Sequence, residues 1–329
     1  MTTTHRLLLV SDIHYASDAE KTRRDFRLAG VDNPVARALL HAFHHLVWER
    51  DPFAHNHYLD GFLARAGNAD SVIANGDFSC DSAFVGVSDA AARESALLCL
   101  GRLRAQCGGQ FRAVIGDHEL GKRSMVGGLG GMRWESWRRT VEELRIEPAW
   151  RQEIGRYVLI GVASSVLALD LFAGDLLKEE RTAWAEVRAQ HWREVREIFS
   201  RIESSQRVLL FCHDPSALPF LWRDDVVRVR LGQIEQTIIG HLHTPVVLWK
   251  SRLLAGMPQL NFLGHTVRRF SGALHEARHW RAFRVRLCPA LAGIELLKDG
   301  GFYAVDLDPT ASVPARFELH RTGDGKAQS

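Results

Sequence analysis

The stretch Ala113-Val114-Ile115-Gly116-Asp117-His118-Glu119 decides how this chain reads. A β-branched apolar run stops at a glycine, and three side chains able to bind metals or move protons follow at once. A short apolar run closed by a turn residue is the mark of a buried strand. The polar trio therefore stands just past a strand end.

Four other stretches repeat that grammar. Arg6 to Val10 leads into Ser11-Asp12-Ile13-His14, and Ser71 to Asn75 into Gly76-Asp77. Arg207 to Phe211 leads into Cys212-His213-Asp214-Pro215, and Gln236 to Ile239 into Gly240-His241-Leu242-His243. In extended chain, residues i and i+2 point to one side, so Asp12 and His14 share a target, as do His241 and His243. Open α/β sheets gather ligand sites beyond the carboxyl ends of their strands. That rule brings Asp12, His14, Asp77, Asp117, His213, His241 and His243 together. Any one of these motifs is common by chance, and a lone buried histidine is usually structural; five in succession, each after a strand-like run, are not explained that way. Three carboxylates and four imidazoles exceed what one ion needs. They suit two divalent ions sharing a carboxylate, and the mixed N/O donors favour Mn, Fe, Zn, Co or Ni, manganese first, over Mg or Ca.

Between the first two strands, residues 15–71 read as a helical insertion over the strand ends. Asn33-Pro34 supplies a cap and a first-turn proline. Leu39, Leu40, Phe43, Leu46 and Val47 form one apolar stripe; Leu59, Phe62, Leu63 and Ala66 form a second, ending at Gly67. His41 and His45 are spaced to share a metal, but no carboxylate or cysteine completes a set, and they read as surface histidines. Further helices are expected over Ala90 to Cys107, burying Leu97, Leu98, Leu100 and Leu103, and within Leu176 to Ile202, where His191 falls on the packed stripe. Tyr157 to Val162 reads as another strand. Leu120 to Arg133 is a glycine-rich loop without phosphate-loop spacing; its Lys122 and Arg123 are candidate contacts for an anionic substrate. Residues 250–322 read mostly as alternating, antiparallel strands of a second sheet, and 323–329 as a flexible tail.

Composition constrains the partners. The chain has 329 residues, 46% hydrophobic and 25% charged, with a net charge of +3. It has ample core material and no run of like charge that would track nucleic acid. Five cysteines without CxxC spacing suit a reduced, cytoplasmic protein. The first apolar run, Leu7 to Val10, is too short for the core of a secretory leader, and no segment reaches membrane-span length.

The ordered set of Asp12-Ile13-His14, Gly76-Asp77, Gly116-Asp117-His118-Glu119, His213 and Gly240-His241-Leu242-His243 resembles the signature of the calcineurin-like metallophosphoesterases. The resemblance covers Arg6 to about Pro245. It implies an α/β fold: a four-layer αββα sandwich with two mixed β-sheets, here a single domain over 1–322. It implies that Asp12, His14 and His243 hold one ion, that Asp77 bridges, and that Asp117, His213 and His241 hold the second. It also implies that a metal-bridging hydroxide attacks phosphorus, with catalytic His118 near the leaving oxygen.

Expected substrates are small anionic phosphoesters or pyrophosphates, including nucleotides, sugar-nucleotides and lipid-linked species. Relatives that cleave UDP-diacylglucosamine also carry insertions over the site. The alternative is a metal-bound scaffold or regulator of low turnover. The family has asparagine where this chain has Asp117. An extra carboxylate removes one positive charge from the site and an amide donor from the phosphate, so Asp117→Asn is expected to raise activity on simple esters.

Overall fold

The computed structural model describes residues 4–124, 127–258 and 265–322. Ten strands form two five-stranded mixed sheets. The first has the order β10-β9-β1-β2-β3, built from β1 (His5–Val10), β2 (Ser71–Ala74), β3 (Phe111–Ala113), β9 (Gly301–Leu307) and β10 (Arg316–Arg321). The second runs β4-β5-β6-β7-β8, from β4 (Ala149–Ile154), β5 (Tyr157–Val162), β6 (Arg207–Cys212), β7 (Ile234–Ile239) and β8 (Val285–Leu287). In the first sheet β1, β2 and β3 are parallel and β9 and β10 antiparallel additions; in the second, β5 to β8 are parallel and β4 antiparallel.

Side-chain alternation explains the layering. Leu7 and Leu9 point one way and join Ile73, Val114, Leu159, Leu209, Phe211 and Val305 in a core between the sheets. Leu8 and Val10 point the other way, onto Leu59, Phe62, Leu100 and Leu103 of the helices Asn56–Ala66 and Ala90–Cys107. On the second sheet Val158, Ile160, Val208 and Leu210 pack with Trp184, Val195 and Phe199 of the helix Arg181–Ser200. A strand with both faces buried reads as continuous apolar sequence, as these do. The result is the expected two-sheet sandwich faced by helices. His191, on the last of those helices, is buried and its Nε2 accepts the Ala163 N–H at 3.1 Å.

Several elements differ from the sequence reading. The helix Pro34–Phe43 is capped by Asn33 as expected, but none of its residues is buried. Leu39 and Leu46 are 67% and 61% exposed, so this stripe does not pack on the strand ends. Hydrophobic periodicity reports an amphipathic helix without saying which way its apolar face turns. In Ala90–Cys107 the buried face is Ala92, Ala96, Cys99, Leu100 and Leu103, while Leu97 and Leu98 are exposed. Small residues let this helix approach the sheet closely, and that displaced the larger leucines from the inward face. Strand β4 and the helix Trp134–Glu142 were not foreseen. Residues 250–322 open with helix (His265–Glu276), give only β8 to the second sheet, and send β9 and β10 to the first. The 323–329 tail lies outside the described residues. Among the described residues no helix is long and apolar enough to cross a membrane.

Candidate metal centre

The loops after β1, β2, β3, β6 and β7 converge at one end of the sandwich. Asp12, His14, Asp77 and His243 bring one ligand atom each to within 4.8 Å of one another, and so do Asp117, His213 and His241. Asp77, Asp117 and His118 form a third such group, so Asp77 belongs to two. All seven sequence-derived ligand candidates are thus brought together, with His118 beside them. The convergence is not made by extended chain. Asp12, His14, Asp77, His241 and His243 all have left-handed backbone, with φ between 48° and 60°. Each such non-glycine residue costs about 1–2 kcal/mol, a strain the fold sustains at functional sites.

Hydrogen bonds fix these loops to each other. The His14 N–H donates to the Asp77 carbonyl at 3.1 Å, and the His241 N–H to Asp12 Oδ1 at 3.0 Å, which ties the second sheet to the first. Asp12 Oδ2 accepts from the Ser11 hydroxyl at 2.5 Å. Gly76 (φ +91°) leaves no room for a side chain: a Cβ would stand 2.6 Å from His213 Nδ1 and 2.8 Å from the Gly116 Cα. Gly116 is spatial in the same sense, because a Cβ there would overlap the Asp77 carboxylate.

The imidazoles are oriented by carbonyls, which only accept. The Ser79 carbonyl takes Nδ1–H from His14 at 3.2 Å and from His118 at 2.9 Å; the Asn75 carbonyl takes His213 Nδ1–H at 2.5 Å. Each ring therefore turns Nε2 into the site. His14 Nε2 is buried with no partner. His213 Nε2 lies 3.1 Å from Asp117 Oδ1 and 3.2 Å from Asp77 Oδ2. A lone pair aimed at two carboxylates needs a cation between them, or a proton. Histidine held by a backbone carbonyl and facing carboxylates is the outer arrangement metal sites use to fix a tautomer. The orphaned Nε2 and the N/O donor set fit divalent transition metals.

Electrostatics without ions tell the same story. Burial opposes charge on His213, yet Asp77 and Asp117 outweigh it and hold its imidazole well above the ordinary range. His241 is raised to about 9, Asp117 overcoming its burial. Burial depresses His14 and His243, and lowers His118 to about 3 against the pull of Asp77. Burial also raises Asp12, whereas the Asp117 carboxyl is held well below its usual range, its burial outweighed by Lys122 and His241. Positive charge is therefore favoured at His213 and His241, where the neighbouring carboxylates face them.

Some participants were not singled out from sequence. Glu119 appeared as a possible ligand, but its buried carboxylate is spent on backbone: it accepts N–H from Gly116 (2.8 Å), Asp77 (3.0 Å) and Phe78 (2.8 Å). Glu20 accepts from Ser82 N–H at 3.0 Å and Asp81 from Gly86 N–H at 2.8 Å, bracing the loop that carries Ser79. Trp48, at the end of the insertion, sets its ring 5.3 Å from that of His243. No periodicity flags such residues. Of the two candidate substrate cations, Lys122 Nζ reaches Asp117 Oδ2 at 2.9 Å, while Arg123 Nε donates to Gly128 O within its own loop at 2.9 Å. His41 and His45 remain exposed, their ring centroids 6.1 Å apart.

No family model matches the sequence, and no curated protein matches it. Among solved structures, the fold is similar to a purple acid phosphatase isolated from yellow lupin (Lupinus luteus) seeds. That match has a TM-score of 0.47 and 11% identity, over 99% of this chain and 53% of the lupin chain. It is also similar to phosphopantetheinyl hydrolase from Mycobacterium tuberculosis, with a TM-score of 0.32 and 14% identity over 74% of this chain and 85% of that one. The present chain spans just over half the lupin protein, 53%.

Proposed function

We propose that this protein is a metal-dependent phosphoester hydrolase with a dinuclear centre of the calcineurin-like kind. The observation that carries the reading is the pair of adjoining Asp/His groups, Asp77 Oδ2 of one lying 3.2 Å from His213 Nε2 of the other, with His118 beside them. In this reading Asp12, His14 and His243 hold one ion, Asp117, His213 and His241 the other, and Asp77 both. The ions supply, when bound, an acidified water and positive charge opposite the phosphoryl oxygens.

The chain's own residues do the rest. Carbonyls at Ser79 and Asn75 keep three imidazole Nε2 atoms facing inward. His118 Nε2 stands 3.7 Å from Asp77 Oδ2 and lies at the edge of the cluster. Burial keeps it neutral, so it approaches the substrate as a proton acceptor. An arriving phosphoryl anion raises its proton affinity. It can then take a proton from solvent at Nε2 and pass it to the leaving oxygen, returning to the neutral ring, the role of a general acid. Five buried, unpaired thiols suit a reducing cytoplasm.

The test is metal analysis of the purified protein joined to hydrolysis of nitrophenyl phosphate and its bis-ester, with Mn²⁺, other divalent ions and chelator. Two ions per chain and chelator-sensitive turnover are expected. Metal-loaded protein inert across a broad phosphoester panel would instead identify a scaffold.

A further inference from the structure

The carboxylate of Asp117 is divided between two environments. Its Oδ1 faces His213 Nε2 at 3.1 Å and His241 Nδ1 at 2.9 Å, inside the second ligand group. Its Oδ2 forms an ion pair with Lys122 Nζ at 2.9 Å. The Lys122 side chain is 29% exposed while Asp117 is only 5% exposed, so the ammonium spans from the buried carboxylate to the mouth of the site. The backbone brings the two together: Gly121 closes the short helix Asp117–Leu120 by donating its N–H to the Asp117 carbonyl at 2.9 Å, which returns residue 122 to the start of the turn.

An asparagine at position 117 would present one oxygen to a metal and one N–H pair to a phosphate, with no net charge. Asp117 and Lys122 together present the same things. The carboxylate offers Oδ1 inward, the ammonium cancels its charge, and of the three ammonium donors one is committed to Oδ2, leaving two for an outside oxygen. We infer that Asp117 and Lys122 act as one unit that replaces an asparagine, with Lys122 as the residue that binds the phosphoryl oxygen of the substrate. The pair also restores the charge count: three carboxylates less one ammonium equal the two carboxylates of the asparagine form. The charge deficit expected from sequence alone is therefore absent, and Asp117→Asn by itself creates an unbalanced cation rather than repairing a defect.

The inference rests on the phosphoester reading for its ligand, but its charge balance can be measured without turnover. Four proteins are compared: wild type, Lys122→Met, Asp117→Asn and the double variant. Metal affinity is read by calorimetric titration with Mn²⁺ and with Zn²⁺, and anion affinity by titration of the metal-loaded forms with inorganic phosphate. Lys122→Met should tighten metal binding and weaken phosphate binding by about tenfold, the scale of a coupled charge pair. Asp117→Asn should do the reverse for metal. The double variant should return to within about threefold of wild-type metal affinity, because the two opposite charge changes cancel. Lys122→Arg keeps the charge and should keep most phosphate affinity.

A double variant more than about threefold from wild-type metal affinity, or unchanged phosphate affinity in Lys122→Met, would overturn the inference. Should phosphoester turnover be absent while the cancellation at the metal holds, the hydrolase reading fails and the paired unit stands. Melting temperatures of all four proteins exclude misfolding as the cause.

Discussion

Glu119 Oε2 accepts the backbone N–H of Asp77 at 3.0 Å, so a carboxylate that faces no candidate metal position sets where the shared one stands. The same carboxylate holds Gly116 and Phe78, and thereby locks the β2 and β3 loops to each other. Burial raises its pKa to about 8, with Asp77 adding to the shift, and the N–H donors draw it back only in part.

Replacing Glu119 by Gln keeps the shape but swaps one acceptor oxygen for an NH2 group. At least one of the three buried N–H groups then faces a donor. The loss is expected to be about 1–3 kcal/mol, the cost of a buried unsatisfied group. A chemical-denaturation midpoint and metal content measured on the same sample should fall together. A variant as stable as wild type, with full metal content, would show that the clamp does not position the loops.

Asp77→Asn should cut bound metal from two ions to one or none per chain. Asp77 belongs to the first ligand group and its Oδ2 lies 3.2 Å from His213 Nε2 of the second, and an amide offers one oxygen instead of two. Elemental analysis after gel filtration reads the stoichiometry directly. Retention of two ions would place the bridge elsewhere.

His118→Asn separates chemistry from metal binding. The His118 Nδ1–H donates to the Ser79 carbonyl at 2.9 Å, and neither ion of the proposed centre depends on this ring. Metal content should stay at wild-type level while kcat falls by about 10²–10⁴, the range of a lost general acid. Equal loss in KM alone would make His118 a binding group instead.

How much of this was legible beforehand follows from what each residue's signal depends on. β1, β2, β5, β6 and β7 are buried on both faces, so their composition alone marked them. The seven ligand candidates follow the ends of β1, β2, β3, β6 and β7, and chain order carried them. The direction of the 34–48 stripe, the small-residue face of Ala90–Cys107 and the amphipathic β4 depend on what packs opposite, which no local pattern encodes. The left-handed turns at Asp12, His14, Asp77, His241 and His243 were hidden for a related reason: neighbouring loops hold them in a conformation their own side chains disfavour. Lys122 was noticed for its charge, but its partner is a carboxylate five residues earlier that sequence reading had assigned wholly to metal.

Acid should loosen the insertion through His44. Burial, with Arg27 and His41 adding, lowers this imidazole from 6.5 to about 4. The unfolded chain takes up a proton near 6.5 and the folded one only near 4, so stability is intact above pH 6.5 and is lost as pH falls through that window. Melting temperatures at pH 7.5 and 4.5 should drop less for His44→Gln than for wild type. An identical drop would assign the acid sensitivity to the metal-site groups.

Metal removal should lower stability as well as activity, because each ligand group takes residues from both sheets. A ligand at a hundred times its dissociation constant stabilises the folded form by about 2.7 kcal/mol. Chelator should shift the melting temperature by several degrees, and readdition of the ion should reverse it.

The pairing of β1 with β9 joins His5 to Leu307. Synthesis runs from the N-terminus, so β1 must wait for the much later β9 before its second edge is covered. During that interval Asp12, His14 and Asp77 exist without His213, His241 and His243, and a growing chain can offer an ion only fragments of a site. In the proposed centre, loading with metal would therefore come late in the life of each molecule, and a shortened chain that ends before β7 would lack His241 and His243.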